Sequence, residues 1–143
     1  MTASAPPIHA SCVAIRGRGV LIAGRSGSGK SDLALRLIDR GATLVSDDYT
    51  LLAAREGTLH AAPPPRIAGC IEVRGVGILP CPHLAEAPVA LLVDLDAPVA
   101  RLPEPASRSF HGIAVPVVAL GALEPSAPIK VERALDHLAP DSR

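Results

Sequence analysis

The chain has 143 residues, 48% of them hydrophobic, and its 14 basic and 14 acidic residues leave a formal net charge of zero. This length favours one domain with a sizeable core, and the core must be aliphatic because the chain has one Phe, one Tyr and no Trp. The neutral charge and the scarce aromatic side chains argue against nucleic-acid partners, which are bound through basic surfaces and base stacking.

The hydrophobic pattern predicts many short strands and few helices. Strands are expected, in chain order, over residues 8–15, 19–23, 42–46, 49–54, 58–62, 88–96 and 113–120, with a strand pair or a bent strand over 70–79. Helices are expected over 30–40 and 129–138. Residues 97–109 are rich in proline and charge, which predicts a surface loop. Pro116 predicts that the last strand lies at a sheet edge, because proline cannot donate a ladder hydrogen bond.

This order of elements predicts the fold class. Doubly wound nucleotide-binding domains alternate strands with helices, and this chain has too few helices for that pattern. We therefore expect an α/β fold with a mixed, partly antiparallel sheet, few helices and a phosphate-binding loop (P-loop). Residues 1–7 are expected to form a flexible N-terminal tail, and residues 8–143 a single domain.

Cysteine usage and the N-terminus predict a cytoplasmic protein. The chain has three cysteines, Cys12, Cys70 and Cys81, and no C-x-x-C pair, which is typical of reduced intracellular thiols. Its first residues show neither a charged leader nor a long apolar segment, so no signal peptide is expected. No apolar run approaches the roughly 18 residues of a membrane helix, so no membrane partner is expected.

Residues 24–31 match the phosphate-binding pattern G-x-x-x-x-G-K-[ST], also called Walker A, between a predicted strand and a predicted helix. Glycines let backbone N–H groups approach phosphate oxygens, and the helix that follows adds the positive end of its dipole. Lys30, one of only two lysines, would reach the β and γ phosphates, and the Ser31 hydroxyl would bind Mg²⁺. The predicted nucleotide-binding residues are Gly24, Arg25, Ser26, Gly27, Ser28, Gly29, Lys30 and Ser31.

A phosphotransferase also needs an acidic metal ligand and a group that accepts the substrate's proton. Asp47 and Asp48 end one predicted strand, and Asp94 and Asp96 end another. On this reasoning alone either pair could supply the metal carboxylate. The first pair follows the P-loop helix directly, so its strand could return close to the loop. Neighbouring strand residues point to opposite faces, so both carboxylates would face the site only if the strand bends at its end.

Two stretches together resemble the catalytic domain of bacterial HPr kinase/phosphorylase. They are GRSGSGKSDLALRLIDRGATLVSDD and, at residues 71–78, IEVRGVGI. The resemblance extends over about residues 8–120. The chain is similar to a short, alphaproteobacterial type of the enzyme. It implies an ATP- and Mg²⁺-dependent protein-serine kinase that phosphorylates HPr, or an HPr-like phosphocarrier of the phosphotransferase system. It also implies phosphorolysis as the reverse reaction.

The resemblance also implies residue roles, carried over by position. Asp47 would accept the serine proton, with Asp48 as its partner near the metal and Glu72 as a magnesium-site glutamate. His9 corresponds to a histidine near the active site. Arg101 corresponds to an arginine that assists transfer, where a guanidinium would stabilise charge on the moving phosphoryl group.

Two other functions stay open at this point. A small-molecule P-loop kinase is one, although such kinases usually carry several phosphate-gripping basic residues and a mobile lid. A nucleotide-binding regulatory module without phosphotransfer is the other, and the presence of Asp47 argues against it because binding alone needs only the loop and the metal ligands. The apolar, glycine-rich residues 71–79 suit either a core or an interface, which leaves a homo-oligomer open.

Overall fold

A computed structural model describes residues 6–140. Residues 1–5 of the expected tail lie outside the described residues, as do residues 141–143. The strands are β1 (Ala10–Ile15), β2 (Arg18–Ala23), β3 (Thr43–Ser46), β4 (Leu51–Arg55), β5 (Thr58–Ala62), β6 (Cys70–Val73), β7 (Gly77–Pro80), β8 (Ala87–Asp94), β9 (Ala106–Phe110) and β10 (Ile113–Ala119). The α-helices are α1 (Lys30–Asp39) and α2 (Ala127–Leu138), and Pro65–Ile67 forms one 3₁₀ turn.

The main sheet has the strand order β3-β1-β2-β8-β10-β9. β1 is antiparallel to β2 and β3, whereas β8 is parallel to both β2 and β10. The β4–β5 hairpin joins this sheet through β8, and β6 and β7 form a separate two-stranded sheet. The predicted mixed, partly antiparallel sheet with few helices is confirmed. Because β2, β8 and β10 run in the same direction, their carboxyl ends and following loops meet at one edge.

Apolar residues fill both faces of the sheet. On one face, Val20 and Ile22 of β2 pack with Leu33 and Leu37 of α1. On the other face, Leu21 packs in a second cluster that includes residues of the β4–β5 hairpin. Each fully buried aliphatic side chain of this size contributes about 1.5–3 kcal/mol, so this alternation holds helices and hairpin on opposite sides of one sheet.

The expectation of a surface loop over 97–109 is wrong at its end, where strand β9 begins. The residues of β9 are mostly exposed and show no apolar alternation. The strand is held by backbone pairing with β10 along its whole length, from Ile113 opposite Phe110 to Val117 opposite Ala106. A polar edge strand of this kind leaves no hydrophobic pattern in the sequence.

The edge position expected for 113–120 is also wrong, because β10 lies between β8 and β9. Its pairing with β8 begins at Val117, opposite Leu92, one residue after Pro116. Before that point β10 has only β9 as a neighbour. The missing N–H of Pro116 therefore falls on a stretch that is paired on one side only, which is where a sheet tolerates proline.

The remaining elements follow the sequence predictions closely. Residues 70–79 form the strand pair, not the bent strand, and β8 lies centrally between β2 and β10. Gly41 stops α1 with a left-handed φ of 112°. No helix among residues 6–140 is long and apolar enough to cross a lipid bilayer.

Candidate active site

The P-loop connects β2 to α1 and presents backbone amides to a ligand. Gly29 precedes the helix with φ of 100° and provides no side-chain cap. The first-turn amides of α1 therefore have no capping side chain, and such amides are a ready anion site. Gly24 must lack a side chain, because a Cβ there would collide with Ser28 Oγ. The buried Ser28 hydroxyl has no hydrogen-bond partner within the described residues.

Lys30 lies folded over this loop. Its side chain is only 4% exposed, and Nζ donates hydrogen bonds to the carbonyl oxygens of Gly24 at 2.9 Å and Arg25 at 3.1 Å. Nζ also lies 3.7 Å from Asp48 Oδ1. A buried ammonium beside free amides gives the loop the positive charge that a polyphosphate requires.

Asp47 is buried behind the loop and accepts three hydrogen bonds. Oδ1 accepts from Ser31 Oγ at 2.6 Å and from Ser11 Oγ at 3.1 Å. Oδ2 accepts from the backbone N–H of Glu72 at 2.9 Å. The carboxylate, which directly follows β3, thus joins β1, α1 and β6 and sets the position of the Ser31 hydroxyl.

Asp48 points instead toward the cavity. Its φ of 67° breaks the strand geometry, which Asp tolerates better than most residues, so the neighbouring carboxylates occupy one site. Ser11 Oγ accepts the Asp48 N–H at 2.9 Å, which holds this turn in place. His9 Nε2 lies 2.9 Å from Asp48 Oδ1, and the His9 ring stacks on Tyr49 with centroids 5.1 Å apart. The Asp48 side chain remains 48% exposed.

Lys30 and Asp48 line a cavity of about 530 Å³. Its lining residues are Ser26, Gly27, Gly29, Lys30, Ser31, Asp32, Leu35, Asp48, Glu72, Val73, Arg74 and Leu123. Glu72 lies on the exposed face of β6, as the alternation of that strand predicts, while Ile71 is buried on the other face. We call His9, Asp47, Asp48 and Glu72 the acid wall: Asp48 and Glu72 line the cavity, and His9 and Asp47 contact these two from behind.

The Ser31 hydroxyl together with the carboxylates of the acid wall forms a donor set that fits Mg²⁺. A hydroxyl and carboxylates are hard oxygen ligands, and Mg²⁺ commonly binds one or two carboxylates together with substrate phosphates. Ser31 Oγ already lies 2.6 Å from a carboxylate oxygen of Asp47, and Glu72 lines the same cavity. No cluster of three or more His, Cys, Asp or Glu side chains suited to a metal occurs among residues 6–140.

The second acidic pair, Asp94 and Asp96, makes different contacts from Asp47 and Asp48. Partial burial raises the pKa of Asp94, but hydrogen bonds from the Asp96 N–H, the Arg108 guanidinium and the Ala97 N–H outweigh it and hold the pKa below its usual range. Asp96 Oδ2 accepts the backbone N–H of Arg25 at 2.9 Å and so supports the P-loop from outside. Asp47, not Asp94, contacts Ser31.

Arg101 is not brought into the cavity. It is exposed in the loop after β8, is not a lining residue, and makes no side-chain hydrogen bond within residues 6–140. By contrast, Ser11 is a site residue that sequence analysis missed, since its hydroxyl joins Asp47 to Asp48. The sequence signal for Ser11 was its place as the single polar residue in an otherwise apolar strand, Ala10–Ile15. Ser11 is fully buried in that strand.

Three comparisons with known proteins agree with one another. The family described as HPr Serine kinase C-terminal domain matches residues 2–84. HPr kinase/phosphorylase of Clostridium botulinum strain Eklund 17B is 44% identical over 72 residues, covering 50% of this chain and 24% of that protein. HPr kinase/phosphorylase of Clostridium tetani is 46% identical over 77 residues, covering 54% of this chain and 25% of that protein. The match thus spans about a quarter of the length of these relatives.

A solved structure matches more of this chain than the two clostridial relatives do. The structure of the Hpr(Ser) kinase/phosphatase from Coxiella burnetii matches with a TM-score of 0.80 and 28% identity. The match covers 93% of this chain and 95% of that chain. The shared architecture therefore includes the second half of the sheet as well as the P-loop.

Proposed function

The chain belongs to the HPr Serine kinase C-terminal domain family, and from that premise we propose that it is a protein-serine kinase that transfers the γ-phosphoryl group of ATP, with Mg²⁺, to a small HPr-like phosphocarrier protein. The resemblance drawn from the motifs is thereby confirmed at the level of the family. One observation carries the proposal. Lys30, Ser31 and two carboxylates meet at one cavity over a P-loop.

The phosphate-binding part of the reaction is assigned to the loop and the acid wall. The amides that open α1 and Lys30 Nζ would bind the phosphates, while Ser31 and Glu72 would hold the metal. Mg²⁺, when bound, neutralises charge on the β and γ phosphates. Asp47 would keep the Ser31 hydroxyl oriented through the 2.6 Å hydrogen bond.

The geometry favours an exchange of the roles that the resemblance implies for the two aspartates. Both oxygens of Asp47 already accept hydrogen bonds, and the residue is only 7% exposed. Asp48 lines the cavity, is half exposed and lies beside Lys30. We therefore assign proton acceptance to Asp48 and orientation of Ser31 to Asp47. Exchanged in this way, the two roles remain a proposal.

The transfer itself would be an in-line displacement. The substrate serine Oγ forms a bond to the γ-phosphorus, and its proton passes to the Asp48 carboxylate. The bond from that phosphorus to the β–γ bridging oxygen breaks, and ADP leaves with the electron pair. His9 would orient the Asp48 carboxylate through its 2.9 Å contact. Arg101 stays a predicted transfer residue.

A protein substrate is supported by the surface next to the cavity. Val76 and Ile78 of the β6–β7 hairpin are 69% and 72% exposed, close in the chain to the lining residue Arg74. Exposed apolar groups beside a charged cavity are typical of a surface that a protein partner covers. A small metabolite would gain nothing from them.

The test is phosphorylation of purified HPr-like carriers with γ-labelled ATP and Mg²⁺, followed by mass spectrometry of the carrier. Label on a carrier serine is expected, and it should be lost with Lys30→Ala and Asp48→Asn. Lys130→Ala and Asp39→Asn are matched controls, because both residues are exposed and lie outside the cavity. A carrier whose acceptor serine is replaced by alanine should stay unlabelled.

Two outcomes would contradict the proposal. Intact ATP binding with no transfer to any carrier would indicate a regulatory module. Robust phosphorylation of a metabolite in the absence of carrier would indicate a small-molecule kinase.

A further inference from the structure

The cavity has a second wall, of different chemistry. It is formed by the segment after β10, in which Leu123 is 82% exposed and lines the same cavity as Lys30 and Ser31. We call Ala122, Leu123 and Glu124 the apolar wall. Nothing in the phosphotransfer step uses this leucine, whose exposed hydrocarbon lines the cavity beside the charged P-loop.

Arg36 of α1 holds the apolar wall in place. Its guanidinium donates to the backbone carbonyl oxygens of Ala122 and of Glu124, the latter at 3.1 Å, on both sides of Leu123. Its Nε also binds Asp32 at 3.0 Å, which keeps the guanidinium pointed along the helix. Leu123 is therefore displayed from a backbone that is tied to the P-loop helix.

The apolar wall packs directly on the point where α1 begins. A Cβ built at Gly29 would lie 2.9 Å from Ala122 Cβ and 3.8 Å from Leu123 Cδ2. Leu123 is thus adjacent to the amides that would bind phosphate. A ligand group that continues from a polyphosphate in this direction meets a hydrocarbon surface within a few ångströms.

The sheet places the two walls on opposite sides of the P-loop. Asp47 and Asp48 of the acid wall follow β3, which lies on the β1 side of β2 in the main sheet. The apolar wall follows β10, which lies on the β8 side of β2. The serine that receives the phosphoryl group must reach Asp48, so the rest of the donor molecule must leave the loop on the other side.

We propose that Leu123, carried by the backbone of the apolar wall, is the nucleoside subsite of ATP, contacting the ribose and the face of the base. This inference rests on the proposed function, because it assumes that the P-loop binds the phosphates of a nucleotide. Contact of an apolar side chain with a flat heteroaromatic face needs area and no hydrogen bond, which one well-anchored leucine supplies. Arg36 acts as a positioning residue for this contact.

Calorimetric titration of the purified full chain separates nucleoside from phosphate binding. MgATP is one probe and inorganic triphosphate with Mg²⁺ is the other. Leu123→Ala should weaken MgATP about tenfold, since the loss of an apolar contact of this size is worth roughly 1–2 kcal/mol, and should leave triphosphate unchanged. Leu123→Met should restore most of the MgATP affinity.

Leu102→Ala is the matched control. Leu102 is 86% exposed, in the loop after β8, and does not line the cavity, so its truncation should change neither probe. Arg36→Ala should reproduce the selective loss of MgATP affinity, because it releases the backbone that displays Leu123. Circular dichroism would establish that each variant is folded.

The possible outcomes distinguish this inference from the function on which it rests. Equal weakening of both probes by Leu123→Ala, or no weakening of either, would overturn the nucleoside subsite. Unchanged binding of both probes in Lys30→Ala would overturn nucleotide binding at the P-loop altogether. Selective loss in Leu123→Ala together with loss of both probes in Lys30→Ala supports both.

Discussion

The acid wall and the apolar wall are built in different ways. In the acid wall, the Asp47 carboxylate alone contacts three elements, β1, α1 and β6, and Asp48 is held by Ser11 and His9 within 2.9 Å. In the apolar wall, one exposed leucine extends from a backbone that Arg36 binds on both sides. Proton transfer and metal binding depend on atoms fixed within tenths of an ångström, whereas contact with an apolar ligand face depends on area. The difference predicts large, specific losses from changes in the first wall and graded losses from changes in the second.

The largest effect is expected from Asp48→Asn. Asp48 is the proposed acceptor of the serine proton, so its neutralisation should lower kcat by about 10²–10⁴, with little change in MgATP affinity. Steady-state rates with a saturating carrier, together with calorimetric titration of MgATP, would measure the two quantities separately. A variant with near-normal kcat would rule out Asp48 as the base and return that role to Asp47.

Asp47→Asn should act through the metal. Because Asp47 orients the Ser31 hydroxyl, its neutralisation should lower the apparent Mg²⁺ affinity about 10–100-fold, and high Mg²⁺ should restore part of the rate. A Mg²⁺ titration of the initial rate is the measurement. A kcat loss as deep as that of Asp48→Asn, with no response to Mg²⁺, would contradict the exchanged roles.

Gly29→Ala probes the junction of the P-loop with the apolar wall. The positive φ costs about 1–3 kcal/mol for a residue with a Cβ, and the Ala122 contact at 2.9 Å adds to it. Gly57→Ala is the matched control, since Gly57 has φ of 78° and nothing within 4 Å of its Cβ position. Urea unfolding should show a larger loss at Gly29, reduced toward the Gly57 value when Ala122→Gly is added. Equal losses of unfolding free energy in the two single variants would mean that Ala122 does not hinder a side chain at position 29.

The smallest effect concerns Asp94, which ends β8 between the two walls. In the folded chain the pKa of Asp94 is held below its ordinary value. Between the folded and the unfolded pKa, the unfolded chain therefore binds more protons than the folded chain, so the free energy of unfolding rises with pH in that window. The contribution should be complete above about pH 4 and be lost as pH falls through the lower folded pKa. Urea unfolding at pH 7 and pH 3 should therefore show a smaller pH dependence in Asp94→Asn. Arg108→Gln should give part of the same change, and an unaltered pH dependence in both variants would contradict this account.

Much of the fold was predictable because its signals are local. The pattern at 24–31, the glycine at 41 and the apolar runs of β2 and β8 each determine a turn, a helix end or a strand from a few neighbouring residues. The failures share one cause. Strand β9 has no apolar alternation and exists through pairing with β10, and the interior position of β10 depends on which partners reach it on either side of Pro116.

The features of the candidate site also divide into those that local sequence predicts and those that depend on tertiary contacts. The P-loop residues and the two acidic pairs were identifiable from residue type and spacing. The two pairs differ in their contacts, because Arg108 and the P-loop backbone bind Asp94 and Asp96, whereas Asp47 contacts Ser31. The exposure of Asp48 depends on a left-handed backbone turn held by Ser11, a residue 37 positions away in the chain.

The amino-acid sequence by itself therefore determined the P-loop, the acidic candidates, the aliphatic core and the mixed sheet. Each of these follows from local steric preference or from hydrophobic periodicity, which act over a few residues. Only the tertiary structure decided which carboxylate is buried and which faces the cavity, and that Leu123 shares this cavity with Lys30. Those relations join β1 to β3 and α1 to the segment after β10, and they arise only when the parallel strands bring distant loops to one edge of the sheet.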